Sequence, residues 1–357
     1  MKNWLTYSLL FITLISCSSE ENSEENAYVP IPFQLEIPPL FEEKLIDPII
    51  PVTNKLTVEG VALGKRLFFD NILSVNNTKA CASCHSPQHA FADPSQFSVG
   101  VTNIEGTRNS MPLFNLAWNF DDRYFWDGHA LGLENQALEP VVDANELGND
   151  SWQPIEAKLN NHPEYPQLFQ QAFGSSTITK TLVTKAIAQF ERTLISGNSK
   201  FDKFSNGEVA LTPQEQNGLD VFMDETRGDC FHCHGNPNNP LWTDNKFHNN
   251  GLDATFSDLG FGLVTGNPND NGKFKSPSLR NLAYTAPYMH DGRFATLDQV
   301  IEHYSTGLQA SSTIDPLMKK VAQGGVNLSE QDKADLKAFL LTLSDPSFLN
   351  NQAFLPE

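Results

Sequence analysis

The chain has 357 residues, enough for two ordinary domains that each bury a core. Its formal charge is −19, which argues against nucleic acid as a partner and leaves solubility, or attraction of a basic protein, as the sense of the acidic surface. Apolar content is ordinary at 39%, and no internal apolar run is long enough to span a bilayer.

The N-terminus stands apart from this average. Lys2 precedes an apolar run from Trp4 to Ile15, closed by Leu14-Ile15-Ser16-Cys17 and then Ser18-Ser19-Glu20-Glu21-Asn22. A basic start, a short apolar core and a small residue before the cut describe a secretory signal. The cysteine at the cut resembles a bacterial lipobox, in which Cys17 becomes the lipidated first residue; the alternative is a plain signal peptide with an incidental cysteine. Residues 1–17 are therefore expected to be the signal and 18–54 a flexible acidic, Pro-rich tether. Ser18–Asn26 is too polar to form a core, and Pro30, Pro32, Pro38, Pro39, Pro48 and Pro51 keep the adjoining stretch extended.

Leu56-Thr57 opens an apolar-periodic segment with Val58, Val61, Ala62, Leu63, Leu67 and Phe68, which reads as a helix. It leads to Cys81-Ala82-Ser83-Cys84-His85. C-x-x-C-H is the attachment site of c-type haem: two thiols form thioethers to the vinyl groups, and the adjacent imidazole reaches the iron. Ile178, Leu182, Val183, Ala186, Ile187, Phe190, Leu194 and Ile195 then recur at helical spacing and mark a core helix ending at Gly197.

A second round begins at Thr212. With Pro213 and Glu215 it forms a capping box for another helix, which leads to Cys230-Phe231-His232-Cys233-His234. Both helices carry Gly followed four residues later by Phe (Gly64/Phe68 and Gly218/Phe222), a weak internal repeat. The run from Gly235 to Lys275, rich in Gly, Asn and Pro, reads as loop with short strands. Thr296 and Gln299 box a short helix that ends near Gly307. Ser329 and Asp332 cap a closing helix with Leu336, Phe339, Leu340 and Leu343, stopped by Asp345-Pro346.

Two C-x-x-C-H copies, with no further cysteine after Cys17, favour two haems. A zinc site would pair its C-x-x-C knuckles across roughly 15–20 residues, and nearly 150 separate these. Thiol–disulfide chemistry ranks below zinc. The expected fold is mainly α, with two cytochrome-c-like haem domains (55–206 and 207–346), long irregular loops and a tail at 347–357.

These motifs resemble the bacterial dihaem cytochrome c peroxidases and the related dihaem enzymes of methylamine utilisation, which mature a tryptophan-derived quinone. The resemblance spans roughly Leu56 to Pro346. It is carried by both haem motifs, Gly106-Thr107-Arg108-Asn109-Ser110, Phe125-Trp126-Asp127-Gly128, Gln136 to Pro140, Glu146, Pro277-Ser278-Leu279-Arg280-Asn281 and Pro287-Tyr288-Met289-His290-Asp291-Gly292. It implies that the first haem, ligated by His85, is the peroxide site, with Glu146 as acid/base, Gln136 lining the pocket and Trp126 relaying electrons from the second haem, ligated by His234. It also implies a calcium ion held by Asn109 and by the carbonyls of Thr285 and Pro287.

Two positions depart from the peroxidase pattern. A blocking His after the Ser-x-Gly element is replaced by Val101, which cannot ligate iron, so the first site is expected to stay open. His89 and His129 are poor substitutes, being surface or hydrogen-bonded histidines on this reading. The distal Met of the second haem is matched by Tyr304, with Met318 and His303 as rivals. Both departures resemble the quinone-maturing branch.

The implied function is an exported, periplasmic or cell-surface lipoprotein that reduces hydrogen peroxide to water. Its electrons would come from a small cytochrome c, a copper protein or a small-molecule donor. Relatives are often dimers, so a homodimer is the corresponding expectation. The alternatives are an enzyme oxidising residues of a partner protein through high-valent haem, and a non-catalytic electron carrier.

Overall fold

The computed structural model describes Met1 and residues 28–356; the signal, Cys17 and the first part of the tether lie outside the described residues. Seven helices among the described residues are eight residues or longer, and the strands are only two residues each. In chain order the long helices are α1 (Val58–Phe69), α2 (Gln153–Asn160), α3 (Tyr165–Phe173), α4 (Lys180–Thr193), α5 (Pro213–Met223), α6 (Leu297–Thr306) and α7 (Glu330–Leu341). Their starts reflect local chemistry. Thr57, Thr179, Thr212, Thr296 and Ser329 each accept a hydrogen bond from a first-turn backbone N–H, satisfying donors the helix cannot pair internally.

The Gly/Phe repeat has a packing cause. α1 crosses α4 with no room for a side chain: a methyl group at Gly64 would collide with the carbonyl oxygen of Ala186. One turn on, Phe68 meets Phe190 at a centroid distance of 5.4 Å. α5 crosses α7 in the same way, with Gly218 against the Asp335 carbonyl and Phe222 5.3 Å from Phe339. Each crossing seeds its own apolar core, one around Leu67, Phe68, Phe91 and Phe190, the other around Phe201, Phe222, Trp242 and Phe339. Cys81 packs on the first core and Cys230 on the second.

Two small hairpins lie between the cores. β1 (Arg123–Tyr124) pairs with β2 (Ala130–Leu131), and their turn contains Phe125-Trp126-Asp127-Gly128, with Phe125 and Gly128 at φ 66° and 70°. β3 (Phe247–His248) pairs with β4 (Phe274–Lys275) and closes the Gly- and Asn-rich loop at its ends. Lys275 N–H donates to the Trp126 carbonyl (2.8 Å), joining the hairpins.

The expectation of a flexible tether over 18–54 needs correction for its described part. Leu40 and Phe41 are fully buried against Trp118 and Leu241. The Trp118 indole donates to the Ile46 carbonyl (3.1 Å), and the Ile49 N–H donates to Ala117 (2.7 Å). The prolines do keep this segment extended, but two large apolar side chains recover more by burial than the chain loses in freedom. The segment beyond the second domain is not free either: Phe348 and Phe354 pack into the first core, with Phe348 5.7 Å from Phe91. No helix among the described residues is long and apolar enough to cross a membrane.

Gly64→Ala and Gly218→Ala are each expected to lower stability by about 1–3 kcal/mol, since overpacking forces the paired helix to shift. Denaturant midpoints of the two variants against wild type measure this.

Candidate functional site

The first cavity, of about 450 Å³, is lined by Cys81, Cys84 and His85 on one side and by Trp126, Gln136 and Glu146 among others. Cys81–Ser83 forms a single 3-10 turn, and the His85 N–H donates to the Cys81 carbonyl (3.0 Å). Ala90 and Phe91 adopt left-handed φ values of 52° and 60°. Nδ1 of His85 lies 3.0 Å from the Phe91 carbonyl, a contact only a protonated Nδ1 can make, which leaves Nε2 as the lone-pair nitrogen. Burial lowers the pKa of His85, favouring the neutral ring a metal requires. Cys81 and Cys84 are unpaired thiols whose pKa values burial raises.

Glu146 keeps solvent access through the cavity, yet the protein around its carboxyl, aided by Asp143 and Glu139, pushes its pKa up to about 7. That value suits a group that takes and returns a proton near neutrality. Val101 does not line the cavity; its N–H donates to the Glu146 carbonyl (2.9 Å) and so fixes the acid's backbone. Of the two doubtful histidines, His89 has a ring that bonds only to Ser86 among the described residues, and it lines neither cavity. His129 does line the first, but Asp127 (2.5 Å) and Glu139 (2.6 Å) occupy both its ring nitrogens. Burial opposes its protonation, and those two carboxylates outweigh burial and raise its pKa.

The second cavity, of about 220 Å³, brings together Cys230, Cys233, His234, Met289, Tyr304 and Met318. His234 repeats the arrangement of His85: Nδ1 lies 3.2 Å from the Pro277 carbonyl, and burial lowers its pKa to about 4. The Tyr304 hydroxyl accepts a hydrogen bond from Asn250 (3.1 Å), and burial pushes its pKa up to about 12. Met318 lines the same cavity, whereas His303, one residue before Tyr304, is not part of the lining.

The wall between the cavities is shared. Trp126, Asn109, Pro112 and residues 275–278 line both, and the Trp126 indole donates to the Asn109 carbonyl (2.7 Å). Nδ2 of Asn109 donates to the carbonyls of Ser95 and Gln96 (both 3.1 Å), which leaves Oδ1 as an acceptor. Thr285 and Pro287 line the second cavity with Asn109. An amide oxygen and backbone carbonyls are the donor set a calcium ion prefers.

Each cavity thus offers two free thiols and a neutral histidine oriented by a backbone carbonyl, which fits a covalently held c-type haem. Three lining residues escaped sequence reasoning. Glu191, 4% exposed with one oxygen unpartnered, lines the first cavity, and burial raises its pKa to about 8. Its signal was a charge four residues after Ile187 on an otherwise apolar stripe. Met289 and Lys275 had no such signal.

Residues 58–210 match the sequence model of the di-haem cytochrome c peroxidase family. The methylamine utilization protein MauG of Methylophilus methylotrophus is 34% identical over 329 residues, covering 90% of this chain and 93% of that protein. The chain belongs to the di-haem cytochrome c peroxidase family. Cytochrome-c peroxidase IdrP1 of Pseudomonas sp. (strain SCT) is 32% identical, covering 99% of this chain and 96% of its own. A solved MauG-like protein associated with microbial copper homeostasis superposes with a TM-score of 0.81 at 34% identity, over 90% of this chain and 99% of that one. As a member of this family the protein is an oxidoreductase of the cytochrome c peroxidase type, and di-haem membership implies two c-type haems.

Removing one attachment pair, Cys81→Ala with Cys84→Ala, is expected to cut covalent haem to about half of wild type. Pyridine haemochrome absorbance per chain measures it.

Proposed function

We propose that the protein is an exported, lipid-anchored di-haem peroxidase that reduces hydrogen peroxide to water at the first cavity. The observation that carries this reading is Glu146, a carboxyl with a pKa near 7 in the cavity that His85 lines, with Gln136 beside it. Reduction of one peroxide to two waters takes two electrons and two protons. When bound, the haem iron supplies the oxidation–reduction chemistry.

The chain's own residues do the rest. Ionised Glu146 accepts the proton of the near peroxide oxygen and returns it to the departing one, so that water leaves rather than hydroxide. Gln136 orients the peroxide. Val101 stands where the peroxidase pattern has a blocking histidine; an alkyl side chain could not ligate iron, so nothing at this position would close the first site. Electrons from a small cytochrome c, a copper protein or a small-molecule donor enter at the second cavity and cross by way of Trp126, which borders both. Tyr304, in the lining of the second cavity, would be a ligand of the second haem, and a calcium ion held by Asn109, Thr285 and Pro287 would stiffen the wall. The N-terminal signal with Cys17 supports export and lipid attachment.

Val101 and Tyr304 also favour a second reading, oxidation of residues on a partner protein, and the similarity to MauG supports it. Turnover separates the two. A peroxidase consumes peroxide rapidly with a reduced cytochrome or dye, whereas a protein-oxidising enzyme holds a long-lived oxidised state with little turnover.

Glu146→Gln is expected to lower kcat/KM for peroxide by about 10²–10⁴-fold, the usual worth of a positioned acid/base. In wild type, kcat/KM falls as pH drops below about 7, because only the ionised carboxyl accepts a proton. That limb is absent from the variant; steady-state rates across pH check both points.

Optical and EPR spectra of the oxidised protein should show one high-spin haem, without prior reduction. Tyr304→Phe should alter the other, low-spin, signal, while Met318→Leu leaves it unchanged. A fully low-spin oxidised spectrum would refute the open first site.

A further inference from the structure

The wall between the cavities carries a cation that the peroxide chemistry does not use. Lys275 ends β4, is only 7% exposed and lines both cavities. Its backbone is fixed twice over, by pairing opposite Phe247 and by the N–H bond to the Trp126 carbonyl. Nζ donates to Asn119 Oδ1 and to the Asn245 carbonyl, both at 3.0 Å, and sits 5.6 Å from the centre of the Phe247 ring. An ammonium has three donors. The third has no acceptor, and Lys275 makes no ion pair, among the described residues.

A buried cation held by neutral oxygens alone is costly, and proteins rarely keep one without an anion nearby. Burial pushes the Lys275 amine down to about 8, with Asp121 and Asp244 opposing at longer range and Arg123 adding to the fall. With two neutral acceptors and no carboxylate in contact, Nζ has one N–H left for a group that fills the cavities. Haem brings such a group, since its propionate side arms are carboxylates.

We propose that Lys275 is the counter-cation of a haem propionate at the wall shared by the two cavities, donating its third N–H to that carboxylate. The proposal rests on the two-haem reading above. Its consequence is electrostatic. A positive charge beside a haem stabilises the reduced iron, so Lys275 raises a reduction potential on the path that crosses Trp126.

The test is redox titration of holoprotein whose two covalent haems have been counted by pyridine haemochrome. Lys275→Met is expected to lower the midpoint potential of at least one haem, and Lys275→Arg to keep it at the wild-type value. Unchanged midpoints in Lys275→Met overturn the proposal. Should that variant not accumulate with both haems, wild type and Lys275→Arg are compared across the alkaline range. The wild-type midpoint should fall as the lysine loses its proton, and the arginine midpoint should not; equal pH dependence in the two overturns the proposal. None of these readouts needs turnover, so full haem content with these shifts but no peroxide reduction refutes the peroxidase reading alone.

Discussion

Trp126 is the point on which the two halves of the molecule are joined. Its indole is tied to the Asn109 carbonyl and its own carbonyl to the Lys275 N–H, so side chain and backbone are both held. The turn that presents it places Phe125 and Gly128 at positive φ, a geometry that a short hairpin can hold but a helix cannot. The site is arranged about that one anchored ring: the first cavity lies to one side and the second to the other. Hydrogen bonds from both the side chain and the backbone fix the ring's position in the shared wall.

Burial then sorts the titratable groups around this wall. His85 and His234 are pushed toward the neutral form that ligates metal, while Glu146 and Glu191 are pushed toward the protonated form near neutral pH. Lys275 is pushed toward losing its charge. One cause, removal from water, acts in opposite senses on acids and bases. His248 shows the limit of that effect. Asp244 and Asp315 contact its two nitrogens, and despite burial they raise its pKa to about 12, so it remains a cation at the edge of the second cavity.

The termini reinforce the join. Phe41 packs against Trp118 of the first half and lies under the guanidinium of Arg280, which pairs with Asp202 in the second. Phe348, beyond the last long helix, returns to the first core beside Phe91 and Phe114. Two chain ends thus cross between halves whose helical cores are otherwise separate, which resists relative motion across the Trp126 wall.

Local chemistry made much of this legible. Capping residues marked the helix starts, apolar periodicity marked their faces, and C-x-x-C-H named the cofactor, because each depends on residues within one or two turns of each other. The Gly/Phe repeat was visible as a pattern, although its cause, close crossing of α1 with α4 and of α5 with α7, depends on partners more than a hundred residues away. The segment before α1 read as a tether because Phe41 and Leu40 have no local partner; only the folded chain supplies Trp118 and Leu241. Lys275 was silent for the same reason. A lysine at the end of a loop-rich stretch looks solvated until Asn119, from the first half, and Asn245, from the second, close around it. Short-range pattern was enough to place five of the seven long helices, but not Gln153–Asn160 or Tyr165–Phe173, and resemblance was enough to name the family. Which side chains share a wall, and what burial does to their charge, came from the folded chain alone, since burial belongs to contacts made across its whole length.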